Sequence, residues 1–85
     1  MGTTKDELRD WFDLGLSKGQ AYMIVACDTY DWEDFPVYAK DAEEARLRFR
    51  QFNGPNMQKV MEVYDLSMDR ETQMAEHRAW HLPSD

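Results

Sequence analysis

Residues 21–40 read AYMIVACDTYDWEDFPVYAK, and this stretch predicts the centre of the fold. Its first part, residues 21–28, is a short apolar run with β-branched side chains, which is typical of a buried central strand. Its last part, residues 33–40, predicts a second strand. Pro36 indicates that this strand lies at a sheet edge or begins at the proline, because proline has no backbone donor. The turn-forming residues between the two runs predict an antiparallel hairpin.

Two helices are predicted from capping signals on either side of this hairpin. The first covers residues 4–18, where Thr4 and Glu7 form a capping-box pattern that satisfies amides of the first turn. The second begins after Asp41, has the same pattern with Glu44, and ends at Asn53 before a Gly-Pro pair. The positions predicted to face the core are Leu8, Trp11, Phe12 and Leu16 in the first helix, and Ala42, Ala45, Phe49 and Phe52 in the second.

The C-terminal part of the chain predicts a third strand, residues 57–66, and a last helix, residues 68–82. Ser67 or Asp69 would cap this helix. Because its inward stripe is thin, we expect it to be the most loosely attached element. The stripe consists of Met68, Thr72, Ala75, Ala79 and Leu82, and the residues outside it are Met74, His77, Trp80 and His81.

The predicted order α-β-β-α-β-α defines a single small α+β domain, residues 1–85, with frayed ends at 1–3 and 83–85. A crossover helix from the second strand to the third places the third strand on the free side of the first. The prediction is therefore a three-stranded antiparallel sheet of order 2-1-3, with helices packed on at least one face.

The charge of the chain limits the classes of partner. Seventeen acidic and ten basic residues leave a formal net charge of -7, and this field repels nucleic-acid phosphates and anionic membranes. We therefore expect no direct binding to nucleic acid or membrane. The single cysteine, Cys27, and the lack of a secretory or membrane-spanning apolar run predict a protein of the reducing cytoplasm.

The acidic hairpin loop is the first candidate for chemistry. Its carboxylates are Asp28, Asp31, Glu33 and Asp34. A calcium loop of the EF-hand kind needs a glycine for its tight bend, and none is present here. Cys27 ends an apolar strand beside Asp28, whose negative charge disfavours the reactive thiolate. We interpret the loop as solvated and the cysteine as a packing residue.

Two histidines are the second candidate. His77 and His81 are four residues apart on the predicted last helix, as two zinc ligands would be. Arg78 stands where the metalloprotease motif has its glutamate, so chance spacing is the preferred interpretation. We predict no catalytic residue, no metal site and no cofactor; a small metal-dependent enzyme remains an alternative.

The arrangement of charge favours a binding function. Between Asp28 and Glu44 there are seven acids and one base, Lys40. At the predicted hairpin tip, Trp32 would anchor a partner while the carboxylates steer it; alternatively, this ring folds back over the small core. The predicted partner-binding residues are Asp31, Trp32, Glu33, Asp34, Glu43 and Glu44.

Self-association is the second binding hypothesis. Leu47 lies on the predicted outer face of the second helix, and Met74 and Trp80 project outward from the loosely attached last helix. A symmetric homodimer would bury these apolar groups. The alternative function is therefore a homo-oligomeric accessory protein.

The segment MIVACDTYDWEDFPVY, together with the capped helix and the MQKVMEVYDL segment that follow it, resembles small acidic proteins of phages and prophages. Such proteins include anti-CRISPR inhibitors, some of which occupy the basic channel where an effector complex holds DNA. The resemblance implies a non-catalytic inhibitor that binds a basic protein or ribonucleoprotein complex in the host cytoplasm. Its carboxylates would act as phosphate surrogates and block DNA binding.

Overall fold

The structure is a computed structural model that describes residues 3–83. Most of the residues predicted to be frayed, 1–2 and 84–85, lie outside this range. The elements are α1 (Lys5–Ser17), β1 (Tyr22–Asp28), β2 (Glu33–Ala39), α2 (Ala42–Phe52), a short 3-10 helix (Pro55–Met57), β3 (Gln58–Asp65) and α3 (Arg70–Met74). The strands form an antiparallel sheet of order β2-β1-β3, which confirms the predicted α+β fold and strand order.

The central strand β1 is buried on both faces because helices cover both sides of the sheet. Met23 and Val25 pack in one cluster with Phe12 of α1. Ile24 points to the other face, where it packs with Val63 of β3 and against side chains of α2. This two-sided burial explains why β1 is a continuous apolar run and does not alternate with polar residues.

Helix α1 begins with the predicted capping box. Thr4 Oγ1 accepts a hydrogen bond from the Glu7 amide at 3.2 Å, and the Glu7 carboxylate accepts one from the Thr4 amide at 3.4 Å. The predicted inward face is wrong at Leu16, which is exposed. Gly15 faces the sheet in its place, because a residue without a side chain lets α1 approach Tyr38 closely.

Helix α2 begins after Asp41, whose carboxylate accepts a hydrogen bond from the Glu44 amide at 2.8 Å. The Glu44 carboxylate in turn accepts from the Lys40 amide at 3.0 Å, one residue before the cap. The second predicted capping box is therefore replaced by a variant that reaches back one residue further. It still satisfies amides at the start of the helix.

The predicted helix over residues 68–82 is wrong beyond its first turn and a half. Asp69 caps α3 by accepting from the Thr72 amide at 2.9 Å, and the helix ends at Met74. The chain then runs beside β3: the Val63 amide donates to Ala79 O and the His81 amide donates to Val63 O, both at 2.9 Å. The unpaired edge of β3 offers these backbone partners, and they outweigh the helical composition of the segment.

The last segment is firmly attached, contrary to the expectation of a loose helix. Arg78 donates from Nε to Met61 O at 2.7 Å and from Nη2 to Val60 O at 3.2 Å. Gln73 is fully buried and bonds both the amide and the carbonyl of Asp65, each at 2.8 Å. Of the predicted inward stripe, Ala79 is buried in the cluster on the α1 side, and Leu82 is half-buried against the cluster on the α2 side. Exposed members are Met68, Thr72 and Ala75.

No helix within residues 3–83 has the length and apolar character needed to cross a membrane.

Candidate partner-binding surface

Two loops meet at the end of the sheet where the hairpin turns. Thr29 donates from its amide and from Oγ1 to Met57 O, in both cases at 2.7 Å, and so joins the β1–β2 turn to the 3-10 helix. We call this surface, residues 28–33 and 56–57, the hairpin pole. It is built from segments that lie far apart in the sequence, so its composition depends on the fold.

The backbone of the hairpin pole is strained. Trp32, Asn56 and Met57 have φ angles of 57°, 56° and 59°, and they are the non-glycine residues with positive φ within residues 3–83. This region is unfavourable for the bulky side chains of Trp32 and Met57, at about 1–3 kcal/mol each, whereas asparagine adopts it readily. Such strain persists where surrounding contacts hold it, and it is concentrated at functional sites in proteins.

Hydrogen bonds hold the strained turn in place. The Asp28 carboxylate accepts from the Tyr30 amide at 2.8 Å, and the Trp32 amide donates to Asp28 O at 2.6 Å. Together with the Thr29 bonds, they fix the backbone from which the aromatic side chains project. The hairpin pole is therefore ordered before any partner arrives, which lowers the entropic cost of binding.

Three large side chains are exposed at this pole. The exposed fractions are 74% for Tyr30, 56% for Trp32 and 55% for Met57. Trp32 belongs to neither core cluster, so the alternative in which it folds back over the core is wrong. Its ring contacts Lys59, whose Nζ lies 5.2 Å from the ring centroid. The flanking residues Asp31 and Glu33 are exposed.

The structure does not bring the six predicted binding residues together. Asp31, Trp32 and Glu33 lie in the hairpin pole. Glu43 and Glu44 lie at the start of α2, beyond the other end of β2, and a seven-residue strand spans about 20 Å. They form a second acidic patch there, next to the exposed Leu47.

Asp34 follows Glu33 in β2. Because successive side chains of a strand point to opposite faces of the sheet, Asp34 does not share a face with Glu33. It is half-buried and accepts a hydrogen bond from Thr3 Oγ1 at 2.7 Å. In the sheet it lies opposite Cys27, which in turn lies opposite Lys59. Burial raises the pKa of the Cys27 thiol, and Asp34 raises it further, so the surroundings of this cysteine disfavour a nucleophilic thiolate.

Sequence reasoning missed two residues of the pole. Tyr30 is absent from the predicted binding residues, although its place in a polar turn is a signal of exposure. Met57 was assigned to the start of the third strand. Only the packing of the two loops shows that it belongs beside the hairpin.

A mixed-charge groove of about 400 Å³ lies beside β3. Its walls carry two acids, three basic or imidazole side chains and two apolar residues. They are Asp34, Lys59, Val60, Met61, Glu62, His77 and Arg78. Because opposite charges are balanced there, the groove has none of the net negative charge that marks the pole.

The two histidines do not form a metal site. The predicted helix ends before them, so their spacing of four no longer places both rings on one face. His81 Nε2 is 2.8 Å from a carboxylate oxygen of Glu76, whereas His77 lines the groove. No group of three or more histidine, cysteine or acidic side chains suited to a metal ion occurs within the described range 3–83.

The three residues predicted for self-association do not share a surface. Met74 is buried in the cluster on the α1 side, which corrects its prediction as an outward residue. Trp80 is exposed but packs edge-to-face on Phe49 of α2 at 5.4 Å, and the Arg78 guanidinium lies 4.4 Å from its ring. Leu47 is exposed on α2.

Comparisons with known proteins add no relative: no protein-family model, no curated protein and no solved structure matches the chain.

Proposed function

We propose that this protein is a non-catalytic interaction protein that binds a basic, nucleic-acid-handling partner and inhibits it, in the manner of an anti-CRISPR protein. The hairpin pole is the binding surface. The observation that carries the proposal is the exposure of Tyr30 and Trp32 on a strained, hydrogen-bonded turn that also carries the exposed carboxylates of Asp31 and Glu33.

The aromatic and acidic groups of the pole have complementary roles. Large aromatic side chains are the usual anchors of interfaces, because they bury much apolar area with few rotatable bonds. The carboxylates attract a surface lined with lysine and arginine, and they compete there with the phosphates that it holds. The net charge of -7 adds long-range attraction, which dissolved salt screens.

The second acidic patch is the weaker candidate. It carries Asp41, Glu43 and Glu44, but its exposed apolar residue is the single Leu47. Two of its carboxylates already accept hydrogen bonds at the start of α2. A carboxylate engaged in a helix cap is a poorer phosphate surrogate than a solvated one, because part of its capacity to accept is used.

The proposal is tested by competition for DNA. Guide-loaded CRISPR effector complexes of several types are mixed with labelled target DNA and increasing amounts of this protein, and the bound DNA is measured. The pole variant Asp31→Lys/Glu33→Lys is compared with Asp10→Lys/Asp13→Lys, which makes the same change of charge at exposed positions of α1, outside the pole and outside the second acidic patch. Thermal melts confirm that both variants fold.

We expect the wild-type protein to displace DNA from at least one effector, and more effectively at low salt. The pole variant should lose at least tenfold in potency, whereas the control variant should lose much less. Equal losses in both variants would show that overall charge, and not the pole, is responsible. If no effector in the panel is inhibited, the anti-CRISPR form of the proposal is wrong.

A further inference from the structure

We infer that the Trp32 ring is a receptor for one arginine side chain of a protein partner. In the unbound protein, Lys59 occupies the position that this arginine would take. This inference rests on the proposed function, since it names the chemistry that the hairpin pole recognises. It starts from the position of Lys59 Nζ, 5.2 Å from the centroid of the Trp32 ring.

Lys59 is held weakly. It lies on β3, its side chain is exposed, and within residues 3–83 its ammonium forms no ion pair with a carboxylate. Its contact with Trp32 is a cation–π interaction, which contributes little at an exposed site. A lysine side chain also regains considerable rotational freedom when it is released. Lys59 is therefore easily displaced by a cation that makes additional contacts.

Trp80 shows the contrasting case within the same molecule. The Arg78 guanidinium lies 4.4 Å from the Trp80 ring, but it also donates hydrogen bonds to the carbonyls of Met61 and Val60. These bonds fix Arg78, so that ring is closed to a cation from outside. Trp32 has the same kind of contact, but within the described part of the chain no hydrogen bond to a carbonyl holds Lys59 over its ring. This difference identifies Trp32 as the ring that a cation of a partner can reach.

The groups around Trp32 favour a guanidinium over an ammonium. Asp31 and Glu33 flank the ring in the chain, and both are exposed. A guanidinium is planar: its face stacks on an aromatic ring while the N–H groups at its edge donate paired hydrogen bonds to a carboxylate. An ammonium does not combine these two contacts. A basic partner would thus insert an arginine, while Lys59 moves away into solvent.

The test uses nona-arginine, labelled with a fluorophore, as a defined probe whose binding is measured by anisotropy at low salt. Lys59→Gln is compared with Lys18→Gln, because Lys18 also lies over an aromatic ring, at 5.6 Å from Tyr38, and its removal changes the net charge equally. We expect Lys59→Gln to bind about twofold to fivefold more tightly than Lys18→Gln, the effect of freeing one exposed cation–π site.

The role of the ring is tested separately. Trp32→Leu should weaken binding and abolish the advantage of Lys59→Gln when the two changes are combined. In NMR spectra, nona-arginine should shift the indole N–H signal of Trp32, assigned by its loss in Trp32→Leu, and leave that of Trp80 in place. Nona-lysine should bind the same protein more weakly.

Equal affinities of Lys59→Gln and Lys18→Gln, or an unmoved Trp32 signal, would overturn this inference. If the pole variant Asp31→Lys/Glu33→Lys nevertheless loses inhibition, the proposed function stands and only the arginine receptor is wrong. If the pole variant inhibits normally while the Trp32 signal shifts as expected, the arginine site exists but does not serve inhibition.

Discussion

For the substitution Gly15→Ala, helix propensity and tertiary packing predict opposite effects on the stability of the protein. Gly15 lies inside α1, where replacing glycine by alanine is expected to stabilise an exposed helix by about 0.5–1 kcal/mol. In this protein a Cβ atom at position 15 would lie 2.6 Å from Tyr38 Cε1 and 2.9 Å from Leu66 Cδ1. Both separations are shorter than van der Waals contact, so either these two side chains or helix α1 would have to move.

The Tyr38 ring is poorly placed to move. Its hydroxyl donates a hydrogen bond of 2.6 Å to Trp11 O in α1 itself, so the ring is tied to the same helix that carries the new methyl group. Relief therefore requires a shift of α1 away from the sheet. Overpacking of this kind costs about 1–3 kcal/mol. After subtraction of the helix gain, we expect Gly15→Ala to destabilise the protein by roughly 1 kcal/mol.

The measurement is a double-mutant cycle by urea denaturation and thermal melting. For a domain of this size, 1 kcal/mol corresponds to a shift in Tm of about 4–8 °C. Tyr38→Val removes the ring and keeps a residue suited to a strand. In that background, Gly15→Ala should cost clearly less than in the wild-type protein, because only the contact with a terminal methyl group of Leu66 remains. If alanine stabilises the wild-type protein, or has the same effect in both backgrounds, the close approach of α1 to Tyr38 is refuted.

Two further predictions follow from the titratable groups. Hydrogen bonds from Arg9, and then from Arg70, lower the pKa of Glu71 to about 2, so its stabilising effect is complete above its usual pKa of 4.5 and is lost as the pH falls toward 2. The stability advantage of the wild-type protein over Glu71→Gln should shrink across this range in pH-dependent melts. Burial raises the pKa of Cys27, so iodoacetamide at mildly alkaline pH should alkylate it far more slowly in the native protein than in urea.

For Glu71 and for Cys27, one result would contradict the prediction. A difference between the wild-type protein and Glu71→Gln that does not change with pH would show that the two arginine contacts do not persist in solution. Native alkylation of Cys27 as fast as in urea would show that the thiol at the end of β1 is accessible.

The order of elements was predictable because its signals are local. The capping box of Thr4, the cap at Asp41 and the edge position of Pro36 each depend on residues a few positions apart. The apolar run of β1 is likewise contained in one stretch. Once these elements are known, a right-handed crossover and a central β1 leave few arrangements of three strands.

The last segment was not predictable for the opposite reason. Residues 68–82 have a helical composition, but the chain leaves the helix at Met74 to bond the edge of β3. The benefit of those hydrogen bonds depends on an unpaired strand that is distant in sequence. Intrinsic helix propensity is weak by comparison, at less than about 1 kcal/mol per residue for most residues.

The candidate site shows the same division. The sequence alone determined that Asp31 and Trp32 occupy a turn between two strands and that Glu33 begins the second strand, since turn residues and strand periodicity act locally. Only the tertiary structure decided that Met57 joins them. Contacts between distant segments depend on which faces pack together, and packing is a property of the whole chain.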